Sequence, residues 1–312
     1  MLPLLAVLII ALIVLGRSAT YVIERLTEIA IKLHVSEYLA GFLVMAIATS
    51  LPELVVGITS SIMGENIISL GNVIGANVAD LTLVIGIAVL LGGAIRIQTQ
   101  IRNQEVFLAG LIGLIPVIML LDRQLSRGEG LILLLLFGFH TYNILFQSRE
   151  YSKVVTDHQI SRTLGREILL LGVGITLLLA SANVTVRAGR ELATYLGAPP
   201  ILIGVLLGLG TTLPEISTSI VAAARKQGSL VTGNVLGSIV TNSALVLGLA
   251  ALIRPITLDG DAVFKIGAVA LFLALALVVK FIRSQYRVDR LEAVVLIMAY
   301  VIYLAATELF SR

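Results

Sequence analysis

The sequence predicts an all-α integral membrane protein whose ten transmembrane helices form two inverted five-helix repeats. Three observations support this fold class: an apolar composition, ten hydrophobic stretches, and a motif that occurs twice. Of the 312 residues, 58% are hydrophobic and 13% are charged, and the mean hydropathy is +1.03. A soluble domain usually carries about 25% charged residues, so this chain has too little polar sequence to cover a globule in water.

The ten hydrophobic stretches are continuous rather than alternating, which indicates membrane-spanning helices and not membrane strands. The longest polar interruption lies near the middle of the chain and separates two sets of five spans. We therefore expect a first repeat over 1–147, a cytoplasmic linker over 148–164 and a second repeat over 165–312. The spans are 2–24, 37–63, 67–92, 104–121, 128–147, 165–187, 199–224, 229–253, 263–282 and 291–309.

The predicted orientation follows from the odd number of spans in each half, which places the second half upside down relative to the first. In or beside the loops, 14 Lys and Arg residues fall on one side and 7 on the other. Because cytoplasmic loops carry the excess of positive charge, both termini are expected outside. Residues 2–15 lack the basic segment and cleavage site of a signal peptide, so they are expected to remain as the first helix.

Composition also limits the chemistry and the partners. Cysteine is absent, which excludes disulfides, thiolate metal sites and a cysteine nucleophile. Tryptophan is absent too, so interface anchoring is expected from the eight tyrosines and the basic residues. The net charge of +3 is spread over loops and fits lipid headgroups rather than nucleic acid. The expected partners are the bilayer and small inorganic cations, with the protein as a monomer.

The central feature of the sequence is a pair of blocks that recurs 162 residues later without a gap. The first block combines hydroxyls, a proline and an acid, and the second places an asparagine between glycines. The proline removes an amide donor and frees the carbonyl four residues earlier, which belongs to Ala48 in one copy and to Gly210 in the other. The blocks are Thr49-Ser50-Leu51-Pro52-Glu53 with Gly71-Asn72-Val73-Ile74-Gly75, and Thr211-Thr212-Leu213-Pro214-Glu215 with Gly233-Asn234-Val235-Leu236-Gly237.

Three acids lie near the middle of spans: Glu53, Asp80 and Glu215, with Asn242 at the position equivalent to Asp80. Ionisable groups at this depth normally face a cavity or a partner, and no Lys or Arg stands in the middle of these spans. Carboxylates, hydroxyls and freed carbonyls make a site of oxygen alone, which suits hard cations such as Ca²⁺. Monovalent cations or a proton could compete for the same charges, as in an antiporter.

The glycine blocks are expected to let helices approach closely. Asn72 and Asn234 are expected to bond freed backbone near the helix starts rather than to bind ions.

At these residues the chain resembles the sodium/calcium exchanger family of prokaryotic type, within the calcium/cation antiporter superfamily. Residues 48–53 and 210–215 are similar to its two alpha repeats, and the Gly-Asn-x-x-Gly segments match as well. The resemblance implies that Glu53 and Glu215 bind calcium, helped by Thr49, Thr211 and backbone carbonyls. It further implies sodium positions at Ser50, Thr212, Ser238 and the carbonyls of Ala46 and Gly208, with Asp80 and Asn242 flanking the centre.

Two departures from the family pattern concern the coupling ion. Ala76 stands where the family often has a serine, and the acid of the flanking pair lies in the first repeat. We expect a secondary antiporter that exchanges calcium for sodium by alternating access, with spans 1 and 6 as a sliding gate. The alternatives are a proton/calcium exchanger, a cation channel and, least favoured, an intramembrane enzyme. No cofactor is expected, Ca²⁺ and Na⁺ (or H⁺) are the transported ions, and the membrane is expected to be a prokaryotic plasma membrane.

Overall fold

The computed structural model describes residues 2–32, 49–96, 103–148, 164–226, 228–258, 262–285 and 287–310. Nearly all of them are helical. Most of the predicted linker and the first part of the predicted second span, residues 37–48, lie outside the described residues. The helices are α1 Leu2–Lys32, α2 Leu51–Ile62, α3 Asn66–Ala79, α4 Ile85–Gly92, α5 Asn103–Met119, α6 Arg127–Ser148, α7 Leu164–Leu196, α8 Pro200–Thr211, α9 Leu213–Ala224, α10 Gly228–Val240, α11 Leu247–Ile253, α12 Ala262–Gln285 and α13 Arg290–Phe310.

Within the described residues, seven segments are long and apolar enough to cross a membrane, and two further apolar helices are shorter. The protein is therefore a multi-pass membrane protein, while the count of ten spans stays a prediction. Helices α1 and α7 continue past the predicted ends at 24 and 187 to Lys32 and Leu196. They pack against each other, and their outer sides expose large apolar residues such as Ile10 and Leu169, as expected for a lipid-facing pair.

The predicted proline break is seen directly in the seventh span. Helix α8 ends at Thr211 and α9 begins at Leu213, with Pro214 in its first turn. Helix α2 likewise begins at Leu51, with Pro52 in its first turn. Proline tolerates this position because the amide it lacks has no partner inside the helix.

Two further irregularities were not predicted. The third span contains a π-helical segment, Asp80–Val84, between α3 and α4, and the eighth contains another, Thr241–Val246, between α10 and α11. Such π-bulges insert one extra residue per turn and are frequent at functional sites. Here they carry the predicted pair Asp80 and Asn242.

The centre of the fold is a close crossing of α3 and α8. A Cβ atom placed on Gly75 would lie 2.5 Å from the Val205 carbonyl oxygen, and one on Gly208 would lie 2.6 Å from the Ala76 nitrogen. Backbone therefore rests on backbone, and only glycine fits. The predicted packing role of the first glycine block is confirmed, and its partner is a second glycine pair, Gly204 and Gly208. The prediction is wrong at Gly233 of the second block, where a Cβ atom would meet no described atom within 4 Å.

Two short strand pairs connect distant parts of the chain. Ile95–Arg96 pairs antiparallel with Arg287–Val288, and Gln124–Leu125 pairs antiparallel with Ile256–Thr257. Each pair joins a loop of the N-terminal half to a loop of the C-terminal half, so the two halves are linked at both places.

Candidate functional site

The two motif glutamates lie at equivalent places, each in the first turn of a helix that starts in the middle of the protein. Glu53 is in the first turn of α2 and Glu215 in the first turn of α9, and both are fully buried. The unpaired amides of a helix N-terminus carry partial positive charge and stabilise a nearby anion. The helix starts therefore favour the two carboxylates inside the protein, where no described residue forms an ion pair with them.

The carboxylates are not satisfied by the described residues. None of the six oxygens of Glu53, Asp80 and Glu215 has a hydrogen-bond partner among them. Burying an ionised group without a partner is costly, and intramembrane acids normally face a pathway or a cation. The arrangement is suited to receiving positive charge.

At this centre, one threonine of each half donates a hydrogen bond to an asparagine of the other half. The Thr49 hydroxyl donates to Asn234 Oδ1 over 3.3 Å, and the Thr211 hydroxyl donates to Asn72 Oδ1, also over 3.3 Å. Thr49 also faces the Glu215 carboxylate, and Thr211 faces the Glu53 carboxylate. Asn234 accepts the Thr49 hydroxyl proton, and the Thr211 hydroxyl proton lies between Asn72 Oδ1 and the Gly208 carbonyl. In both cases lone pairs of the threonine oxygen remain for a cation.

The asparagines therefore act differently from the prediction. Asn72 and Asn234 were expected to bond freed backbone, but their side-chain oxygens receive the two threonines. Asn234 Nδ2 donates to Ser219 Oγ over 3.1 Å and makes one long backbone contact, 3.5 Å to the Glu215 carbonyl. Asn72 Nδ2 has no partner among the described residues.

The oxygens predicted to bind sodium differ in whether they already form hydrogen bonds. Ser50 Oγ is buried with no partner in the described part of the chain, whereas Thr212 donates to the Leu209 carbonyl over 3.0 Å. Ser238 Oγ lies 3.4 Å from Thr49 Oγ1. The Gly208 carbonyl accepts from the Thr212 amide and the Thr211 hydroxyl, each over 3.2 Å, so an ion there must share these bonds. Ala46 lies outside the described residues.

Asp80 and Asn242 flank this centre without bonding to each other. Asn242 Nδ2 donates to Asn77 Oδ1 over 3.2 Å, and Asn77 Nδ2 donates to Ser243 Oγ over 2.8 Å. Asn242 Oδ1 and both Asp80 oxygens keep no partner in the described part. Among the described residues, no three His, Cys, Asp or Glu side chains lie together as ligands of one metal ion. Asp80 lies within electrostatic range of Glu53 and Glu215.

Sequence reasoning missed the asparagine contacts and the role of Asn77 in holding Asn242. A signal for the first was present, since Asn72 and Asn234 repeat at the same spacing as the threonines and glutamates. Nothing comparable marks Asn77, because its equivalent in the second half is Ile239.

Comparison with known proteins identifies the family of this chain. Residues 3–146 and 166–307 match the family model described as sodium/calcium exchanger protein. The chain belongs to the sodium/calcium exchanger family. As a member it is a membrane transporter of the cation antiporter class and not an enzyme.

Relatives of the exchanger extend over nearly its full length. It is 29% identical to the putative antiporter CaxA of Alkalimonas amylolytica, covering 95% of each chain. It is 26% identical to the sodium/calcium exchanger MaX1 of Methanosarcina acetivorans, covering 96% of each chain. Its fold matches the solved structure of the sodium-calcium exchanger NCX_Mj with a TM-score of 0.67 at 24% identity, over 98% of this chain and 99% of the other.

Proposed function

We propose that this chain exchanges calcium for sodium across a membrane by alternating access. The observation that carries the proposal is the pair of buried glutamates, Glu53 and Glu215, whose oxygens have no partner among the described residues. Ca²⁺ takes six to eight oxygen ligands and favours several carboxylates. Two glutamates supply up to four oxygens, and Thr49 and Thr211 supply two more.

The sodium ions would occupy neighbouring oxygens. In this proposal they use Ser50, Thr212 and Ser238 together with carbonyls of Ala46 and Gly208, while Asp80 and Asn242 flank the centre. The two negative charges of the glutamates neutralise one Ca²⁺ or two Na⁺. They cannot neutralise both sets of ions at the same time. Competition for the same charges couples the two ions, because binding of either one removes the charge that the other requires.

Alternating access requires two arrangements of one site, which a repeated, inverted architecture provides. The crossed Thr49–Asn234 and Thr211–Asn72 contacts support such a relation between the halves, since each half contributes the same groups to the other. The two strand pairs likewise join a loop of one half to a loop of the other half. We assign residues 1–147 and 165–312 to the two repeats, and α1 and α7 to the moving gate.

A proton/calcium exchanger is the second candidate. Asp80 favours it, because this fully buried acid has no hydrogen-bond partner among the described residues and could carry a proton instead of accompanying sodium. This acid lies in the first half of the chain, and the equivalent position of the second half holds the neutral amide Asn242.

Flux of radioactive calcium into proteoliposomes distinguishes the candidates. The full chain is reconstituted, and sodium and pH gradients are imposed separately, with protein-free vesicles as the control. We expect an outward sodium gradient to drive calcium accumulation above the external concentration. Uptake that responds only to pH would replace sodium by protons, and equilibration without accumulation would indicate a channel.

The cellular setting follows from the same family. We propose a prokaryotic plasma membrane, consistent with the 26% identical inner membrane protein YrbG of Escherichia coli, with both termini outside and the protein active as a monomer.

A further inference from the structure

The last helix, α13, turns a stripe of hydroxyls toward the interior of the protein. Its buried residues follow helical spacing and run from Ala293 and Leu296 to Tyr300, Tyr303 and Thr307. The opposite side is apolar and exposed, as expected of a surface facing lipid. The stripe thus changes from apolar to hydroxyl-bearing part-way along the helix.

The two tyrosines do not anchor the protein at a membrane interface, which is the role expected for tyrosines from the composition. Tyr300 is 2% exposed and Tyr303 is 3% exposed, with ring centroids 6.0 Å apart. Neither hydroxyl has a hydrogen-bond partner among the described residues. Burying a polar group without a partner is unfavourable, and phenylalanine would avoid this cost. Both hydroxyls are therefore free to bind a partner other than the described residues.

The stripe faces the region of Asp80. Helix α13 packs against the π-helical segment that Asp80 begins, and a Cβ atom on Gly86 would meet the Ala293 carbonyl at 3.0 Å. Two turns further along α13, Tyr300 lies within the electrostatic range of the Asp80 carboxylate. Tyr303 Oη lies farther along the same side, 3.7 Å from the Cβ position of Gly267 on α12.

The groups in this region define the charge of the ligand. Asp80 contributes two oxygens and one negative charge, and the tyrosines contribute two neutral oxygens. The sequence 66–92 contains no Lys or Arg, and neither does 291–310, so no basic side chain from these segments neutralises Asp80. The single charge of Asp80 with neutral oxygen ligands suits a monovalent cation. Glu53 and Glu215 lie within electrostatic range of Asp80 and supply the several carboxylates that Ca²⁺ favours.

We infer that Tyr300, supported by Tyr303, completes the oxygen ligands of a monovalent cation held by Asp80, directly or through one water molecule. This inference rests on the proposed sodium coupling. It adds α13 to the ion-binding elements and makes Tyr300 a determinant of sodium affinity that does not enter the calcium position.

The test measures two concentration dependences in the reconstituted full-length protein carrying Tyr300→Phe. Removal of one hydrogen-bonding group is expected to raise the half-saturating sodium concentration about five-fold, while the half-saturating calcium concentration stays within about two-fold. Sodium-dependent thermal stabilisation of the purified protein should shift in parallel and provides a readout independent of transport. Tyr303→Phe should give a smaller shift in the same direction.

Tyr142→Phe is the matched control, since Tyr142 is 62% exposed on α6, and both dependences should be unchanged. An unchanged sodium dependence in Tyr300→Phe would overturn the inference. Equal shifts for both ions would also overturn it, because they indicate a general structural effect. A wild-type protein that transports calcium without any response to sodium would refute the sodium coupling itself, and with it this inference.

Discussion

The Thr49 hydroxyl donates a hydrogen bond to Asn234 Oδ1 over 3.3 Å, and the equivalent Thr211 hydroxyl donates to Asn72 Oδ1 over the same distance. Each bond joins residues from different halves of the chain. Because an acceptor oxygen takes each hydroxyl proton, the lone pairs of each threonine oxygen remain available to a cation. These neutral hydrogen bonds would therefore orient the proposed cation site.

The contribution of each threonine–asparagine pair to calcium binding can be measured by mutation. Thr211→Val and Asn72→Ala should each raise the half-saturating calcium concentration about five-fold, since one hydrogen bond contributes roughly 1 kcal/mol. The double variant should be little worse than either single variant, because both changes remove the same bond. Calcium flux over a concentration series measures all three. Fully additive losses would mean that the two residues act independently.

The glutamates should be more sensitive. Glu53→Gln and Glu215→Gln each remove one charge from a buried site, which costs about 3 kcal/mol or more. Because about 1.4 kcal/mol corresponds to a factor of ten, calcium exchange should fall at least about 100-fold (~2.8 kcal/mol). Size-exclusion profiles and melting curves should show that both variants fold. Glu191→Gln, a change of the same kind at an exposed position of α7, should exchange calcium normally. Normal flux in either motif variant would contradict the site.

The crossing of α3 and α8 should tolerate no side chain at its closest points. Gly75→Ala would place a Cβ 2.5 Å from the Val205 carbonyl oxygen, and such overpacking typically costs 1–3 kcal/mol. Gly138→Ala on α6 is the control, because no atom of the described residues lies within 4 Å of its Cβ position. Thermal unfolding in detergent should show a lower melting temperature for the first variant and an unchanged or slightly higher one for the second. Equal melting temperatures would argue against a tight crossing.

The proposed gate predicts which crosslinks stop transport. Arg190 on α7 forms an ion pair of 3.1 Å with Glu65 at the turn between α2 and α3, so a reducible bifunctional crosslinker between Arg190→Cys and Glu65→Cys should block calcium exchange, and reduction should restore it. The chain has no cysteine of its own, which leaves the background free of side reactions.

A crosslink within the gate is the matched control. Gly174 on α7 packs against Tyr21 on α1, with a Cβ position 2.9 Å from the tyrosine ring. Crosslinked Tyr21→Cys with Gly174→Cys should still exchange calcium, because α1 and α7 move together. If the first crosslink leaves exchange intact, α7 does not slide past the α2–α3 turn.

The membrane class, the positions of the helices and the family could be predicted because they depend on local properties of the sequence. Apolar length predicts a span, and a proline predicts the break near Thr212. The duplicated motif also indicated Glu53 and Glu215 as a pair, since equal spacing brings equal groups to equal depth.

What could not be predicted depends on which surfaces meet. Spacing along the chain does not say that Thr49 faces Asn234 rather than backbone, and no residue type marks a π-helical turn at Asp80. Tyrosine is a residue type typical of membrane interfaces, and only the packing of α13 shows that Tyr300 and Tyr303 face inward.

Each of the two strand pairs joins segments that the ribosome makes at different times. Ile95 pairs with Val288, which follows it by 193 residues, and at typical elongation rates of 5–20 residues per second the ribosome needs about 10–40 s to make that partner. Until then Ile95 and Arg96 have no strand partner, although the helices that carry Glu215 and Asn242 have already been made. A chain that ends before Val288 would therefore leave this strand edge unpaired and accessible to cellular quality control.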